Sequence, residues 1–330
     1  MKSHLQDSQI FNHANLQTAS LRIYIHILNF TTTNMESPAS GDGDPVPRSF
    51  RFYMPFLLLS FLIACHPDEG SRSGKTAGSS AKVTGRTLPA APVAKTIQKK
   101  KKRIYLTFDD GPNKGTQNVL DILQQENIPA TFFIVGEHVF ASAGQARTWD
   151  SLLKAKNIEL CNHSYTHAHN RYDKFYEHPD TVVKDIQRTQ EELLPNNTIV
   201  RAPGRNSWRI DSLHYTDIRK SKAAMDSLQQ AGFIVMGWDL EWHYDPKTFV
   251  VKNSADELLN QVDSIFRKGK TKTADNLVLL AHDQVYGKPT DSFQLRQFIQ
   301  KLKQKDEYEI ALVSNYPGIR RQATDTIKTK

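Results

Sequence analysis

From residue 104 onward, short apolar runs alternate with longer stretches in which apolar positions recur every three or four residues. The short runs predict strands over 104–108, 131–135, 158–162, 198–201, 233–238, 277–281 and 309–313. The periodic stretches predict helices that include 116–126, 181–194, 223–231, 255–266 and 293–303. Strand and helix in regular alternation join parallel neighbours through crossovers, so the pattern predicts a parallel sheet with helices packed outside it. Seven such units fit a barrel slightly short of the eightfold form. The rival is an open doubly wound sheet, but no glycine-rich nucleotide fingerprint follows the first strand to favour it.

Upstream of residue 103 this periodicity is missing. Residues 66–102 are rich in Ser, Gly, Ala, Pro, Thr and Lys, a composition that cannot bury enough surface to offset its ordering entropy, and they are expected to be a disordered linker. Before them, Arg48 and Arg51 precede an apolar run over 54–64 that ends in Leu62-Ile63-Ala64-Cys65. That order describes a secretory signal, with an apolar stretch too short to span a bilayer as a stable helix. Leu-Ile-Ala-Cys also resembles the bacterial lipobox, which would make Cys65 the lipidated residue and the mature N-terminus. Residues 1–34 lie upstream of the signal pattern and receive no function. The expected organisation is an upstream extension and signal over 1–65, the basic linker over 66–102, a single catalytic domain over 103–315 and a polar tail over 316–330.

The formal charge of +8 changes this picture only through its location. Residues 66–103 hold ten Lys and Arg against two acids, whereas 104–330 hold 29 against 29. The excess belongs to the linker, so no clustered basic face is indicated on the folded part and no nucleic-acid partner is expected. With only Cys65 and Cys161, a disulfide framework is not indicated either.

Polar groups gather where the apolar runs stop. The first strand ends in Thr107-Phe108-Asp109-Asp110-Gly111-Pro112 and the third in His163-Ser164-Tyr165-Thr166-His167. The fourth ends in Arg201-Ala202-Pro203-Gly204, the fifth in Trp238-Asp239-Leu240-Glu241-Trp242 and the sixth in Leu280-Ala281-His282-Asp283. In a barrel all these ends meet at one rim, where active sites sit. Two adjacent carboxylates suit a cation, one ligating it while the other handles a proton. Two His four positions apart fall on one face if the segment turns helically, and with one carboxylate they leave open positions for water and substrate. His169 and His178 are assigned to the exposed loop that follows.

Taken together, these motifs resemble the polysaccharide deacetylase family, the fourth carbohydrate-esterase family, over about residues 103–315. The TFDDGP stretch at 107–112 and the HSYTH stretch at 163–167 carry the likeness. The resemblance implies a distorted (β/α)7 barrel and a divalent ion, zinc first with cobalt or another divalent ion as alternatives, held by Asp110, His163 and His167. It implies Asp109 as general base, Arg201 as the group that holds it, His282 as general acid and Leu280 as a wall of the acetyl pocket. Two departures follow. The aromatic residue that the family usually carries after Arg-x-Pro is Gly204 here, whose backbone N–H could still meet an oxyanion. The usual Trp-Asp-x-Asp with a later Asp-Trp is altered, which makes Asp239 the first choice of partner for His282, Asp245 the second, and Trp242 a candidate for the sugar.

The implied function is metal-dependent removal of acetyl groups, foremost N-acetyl of N-acetylglucosamine units, from a cell-envelope or extracellular polysaccharide. Alternatives are an O-acetyl esterase of xylan or exopolysaccharide and a non-catalytic envelope-binding lipoprotein that keeps the barrel. A glycosidase would need two carboxylates flanking the sugar and no His pair, and no Gly-x-Ser-x-Gly elbow is present. The protein is expected to be exported, a monomer, and lipid-anchored in the cell envelope on the periplasmic or outer-membrane face.

Overall fold

The computed structural model describes residues 100–194 and 197–319. Its strands, in chain order, are β1 (Lys102–Gly111), β2 (Ala130–Ile134), β3 (Ile158–Asn162), β4 (Ile199–Val200), β5 (Ser207–Ile210), β6 (Leu213–Thr216), β7 (Ile234–Val235), β8 (Leu240–Glu241), β9 (Tyr244–Asp245), β10 (Val250–Val251), β11 (Asn276–His282) and β12 (Tyr308–Ile310). All seven expected strands are present. β1 is central and buried over most of its length, as a parallel strand covered on both faces must be. It pairs with β11 along its length, with β2 at its carboxyl end and with β12 at its foot. β2, β3, β4 and β7 follow in parallel order.

The sheet curls into a ring through a single stretch. At its start, Ile234 N donates to Thr198 O and Met236 N to Val200 O; further on, Asp239 N donates to Val278 O and Trp242 N to Leu280 O. Residues 234–242 thus leave β4 and join β11, bridging the two ends of the parallel array. Gly237 makes the crossing possible, because a Cβ there would lie 2.2 Å from Asn206 Oδ1 and 2.5 Å from Trp208 Nε1. The distortion expected of the (β/α)7 barrel lies in two places. β12 touches only the foot of β1, and the antiparallel β5–β6 hairpin extends the sheet beyond β7.

Alternation along the strands sorts their side chains into two layers. Ile104, Leu106 and Phe108 of β1 and Leu277, Leu279 and Ala281 of β11 join a core with the outer helices. Tyr105 and Val278 instead pack within the ring, with Phe133, Cys161, Trp208 and Met236. Thr107 and Asp109 therefore point inward above Tyr105, and Leu280 and His282 inward above Val278. The helix Ala255–Arg267 begins in a capping box, Ser254 Oγ accepting from Glu257 N while the Glu257 carboxylate accepts from Ser254 N. Helices Pro179–Leu193 and Pro289–Lys303 start on a proline, whose fixed φ suits a first helical position. Packing runs past residue 315, since the Tyr316 ring lies 5.2 Å from Tyr105 and 5.5 Å from Trp208.

Candidate active site

Two adjacent residues of a regular strand point to opposite faces, yet Asp109 and Asp110 both reach the mouth of the ring. The pairing of β1 with β2 slips by one residue between Asp109 and Gly111, and Asp110 adopts φ 75°. That bulge re-aims Asp110 without turning Asp109 outward. His138 Nδ1, 2.7 Å from the Asp110 carbonyl oxygen, holds the bulge from the helix Gly136–Phe140.

Asp109 is buried beside an Arg201 that is itself 0% exposed. One Arg201 terminal nitrogen donates to Asp109 Oδ1 at 2.7 Å and to Thr107 Oγ1 at 2.8 Å, and the other donates to the Gly237 carbonyl at 3.0 Å. The guanidinium lies over the Phe133 ring at 4.1 Å. A buried cation so fully engaged fixes Asp109 by one oxygen and leaves Oδ2, 3.8 Å from His163 Nε2, facing the cavity.

The two histidines meet by a route other than a helix. Ser164 and His167–Asn170 all have positive φ, and this left-handed loop brings the imidazole centroids to 5.2 Å. Its backbone is pinned: Ser164 N donates to Asn162 Oδ1, Tyr165 N and Thr166 N to Asp185 Oδ2, and His167 N to Ser164 Oγ. His163 Nδ1 sits 2.9 Å from the Arg201 carbonyl oxygen and His167 Nδ1 3.2 Å from Asn170 Oδ1. Each ring thereby spends its Nδ1 proton on an acceptor and directs the Nε2 lone pair to Asp110 Oδ1, at 3.4 Å and 3.1 Å. Burial works against the Asp110 charge, but imidazoles that carry a proton on Nε2 outweigh it and hold the carboxyl well below the usual carboxylate range, a place a cation can take once those nitrogens give up their protons. Asp110 Oδ1 is buried with no hydrogen bond of acceptable geometry, and the three ligand atoms lie within 4.8 Å of one another. Convergent lone pairs around an orphaned carboxylate oxygen fit a divalent cation.

His282 lies opposite, in register with Asp109 across the β1–β11 pair. Together with Leu280, Gly204 and the three candidate ligands it lines a cavity of about 350 Å³.

The sequence profile described as polysaccharide deacetylase matches residues 96–208. Over those residues the chain is similar to the polysaccharide deacetylase family. It is 28% identical over 192 residues, 58% of this chain and 71% of the relative, to a chitooligosaccharide deacetylase of Rhizobium leguminosarum bv. phaseoli. It is likewise 28% identical over 191 residues, 56% of this chain and 61% of the relative, to a peptidoglycan-N-acetylglucosamine deacetylase of Bacillus cereus. Among solved structures, a Streptococcus mutans CE4 esterase aligns over 64% of this chain and 86% of its own, at 24% identity and a TM-score of 0.47.

Three expected roles need correction. Asp239 does not serve His282. Its Oδ1 accepts from Lys272 N at 2.6 Å and its Oδ2 from Val278 N at 2.8 Å, and burial pushes its pKa up to about 6 against those two bonds. It is a structural cap on the seam of the ring. Asp245 is no alternative, because its Oδ1 accepts from Lys247 N and Thr248 N in the β9–β10 turn. Among the described residues His282 Nδ1 is buried with no hydrogen-bond partner, and its ring meets Tyr244 edge-on at 5.1 Å. Trp242 does not face the cavity either. It is buried against Tyr286 and Phe298, its indole N–H donating to the Asn253 carbonyl, whereas Trp238 lines the cavity.

Gly204 sits at φ 63°, and a Cβ there would come within 3.2 Å of the Tyr172 ring. Tyr172, from the short helix Tyr172–Tyr176, thus occupies the wall beside the bare backbone. Gln284 bridges Asp110 Oδ2 at 3.2 Å and the Tyr244 hydroxyl at 3.3 Å. Neither Tyr172 nor Gln284 belongs to a motif, so no local signal in the sequence points to them. Cys65 lies outside the described residues, and Cys161 is buried in the ring interior.

Proposed function

We propose that this chain hydrolyses acetyl groups from a polysaccharide with the aid of a divalent ion at Asp110, His163 and His167. The observation that carries the proposal is the meeting, at one mouth, of that ligand set with an Arg-held Asp109 and with His282. Zinc is the proposed ion, since one carboxylate and two imidazoles with open positions suit it. When bound, it would supply positive charge toward the acetyl carbonyl and acidify water at the site.

The residues' own contributions follow from their placement. Asp109 Oδ2 takes the proton of the attacking water while Arg201 keeps the carboxylate oriented. Water adds its oxygen to the carbonyl carbon, and the charge that develops on the carbonyl oxygen is met in part by the main chain at Gly204, where no side chain intervenes. The bond to the sugar nitrogen then breaks, His282 giving its proton to the departing amine, so that acetate and a free amino sugar result. Leu280 and Trp238 close the pocket around the acetyl group. An ester oxygen could depart by the same route, which keeps O-acetyl polymers within reach of the site.

Acetate release from N-acetylglucosamine oligomers and from acetylated xylan tests the activity and ranks the two linkages. His282→Ala should bind the ion as the parent does yet release acetate about 10²–10⁴-fold more slowly. Near-parental turnover in that variant would remove His282 from the mechanism. A parent that releases acetate from none of these polymers would favour the non-catalytic reading.

Export and a lipid anchor at Cys65 are the proposed setting, resting on Leu62-Ile63-Ala64-Cys65 behind an apolar run. Cys65→Ser should shift the full chain from the membrane to the soluble fraction or leave it unprocessed. A variant that fractionates and migrates like the parent would exclude the anchor. One chain carries every group of the site, which supports action as a monomer.

A further inference from the structure

A second depression, of about 880 Å³, adjoins the reactive pocket at Gln284, which lines both. The two differ in charge. Asp109, Asp110 and Glu241 line the pocket, whereas among the described residues no carboxylate lines the adjoining groove, whose Lys and Arg side chains are Lys114 and Lys288. Both lysines are exposed. Lys288 donates one N–H to the Thr248 carbonyl and has two more to give. Lys114, in the turn after β1, lines the groove and makes no ion pair among the described residues.

The same groove carries an aromatic platform. Phe249, at the tip of the β9–β10 hairpin, is 40% exposed and holds φ 53°, a conformation bulky residues rarely adopt. Its N–H donates to the Asp245 carbonyl at 2.7 Å, and its ring stacks on Tyr244 at 5.8 Å with 20° between planes. Tyr244 is also the residue that packs on His282. The hairpin therefore fixes an open ring in the groove and a second one at the reactive pocket, one stacked on the other.

We propose that this groove is a subsite for the sugar next to the one being deacetylated, and that it selects a sugar bearing a carboxylate. Phe249 offers a flat face to the sugar's C–H groups, and Lys114 and Lys288 meet the acid. The inference rests on the deacetylase reading of the adjoining pocket and adds to it a preference for an acidic glycan.

Binding separates the two. The full chain carrying Asp109→Asn is titrated with two tetrasaccharides, neutral N-acetylchitotetraose and a carboxylated chain in which N-acetylglucosamine alternates with N-acetylmuramic acid. At low salt the carboxylated ligand should bind about tenfold more tightly, as two exposed charge pairs allow. The preference should shrink in 0.5 M salt, where screening shortens to a few ångströms, and should disappear when Lys114→Gln and Lys288→Gln are added. Phe249→Ala should weaken both ligands alike. Equal affinities at low salt, or a preference that survives loss of both lysines, overturns the proposal. Acetate release from N-acetylchitotetraose by the parent is a separate measurement: its absence counts against the deacetylase reading, while the affinity ratio still judges the groove.

Discussion

Asp109→Asn is expected to lower acetate release by about 10²–10⁴-fold while leaving the metal content of the chain unchanged. Asn keeps the shape of the side chain but cannot take a proton at neutral pH, and a positioned base contributes on this scale. The metal should remain because the ligand atoms belong to Asp110, His163 and His167, and Asp109 is tied instead to Arg201 at 2.7 Å. Elemental analysis and acetate release on the same preparation decide the matter. If ion and activity are lost together, Asp109 is a ligand and the two carboxylates must exchange roles. Stability should fall as well, because the buried Arg201 loses its counter-charge. Thermal melts of parent and variant therefore locate both transitions, and acetate release is compared at a temperature well below them.

His163→Ala is expected to remove both the ion and the activity. The variant deletes one of three ligand atoms and also the hydrogen bond from His163 Nδ1 to the Arg201 carbonyl. Losing only a supporting partner of a ligand usually costs about 10–100-fold in metal affinity. Asn170→Ala, which leaves His167 Nδ1 without its side-chain acceptor, should therefore weaken binding by that amount, and His163→Ala by more. Dialysis of parent and variants against a graded chelator, followed by elemental analysis, gives the order. A His163→Ala protein that holds the ion as firmly as Asn170→Ala would contradict the ligand assignment.

Much of the site is legible in the sequence because alternation along a strand is local. Once 104–108 and 277–281 are read as parallel strands, Asp109 and His282 both continue the inward-facing set, and the structure places them in register. The same logic gives no correct answer for Trp242 or Asp239. They lie on the stretch that leaves β4 and joins β11, so their surroundings depend on two strands distant in sequence. Trp242 turns into the helix layer, and Asp239 is drawn to the backbone of Lys272 and Val278. The His pair is a related case. Spacing suggested a helical turn, but Asn162 and Asp185 satisfy the N–H groups of a left-handed loop that reaches the same end.

Local order in the sequence thus determines the strand and helix content, the inward face of each long strand and which residues are candidates for ligand and base. Side-chain period and the chemistry of each residue type are properties of a short window. Tertiary pairing alone decides the rest. The slip between β1 and β2 lets Asp109 and Asp110 share one mouth, closure through 234–242 moves Trp242 into the core, and Tyr172 and Gln284 arrive from loops that carry no motif. Register and bulges depend on what a strand pairs with, and a residue whose partner lies tens of positions away or more carries no sign of that partner in its own neighbourhood.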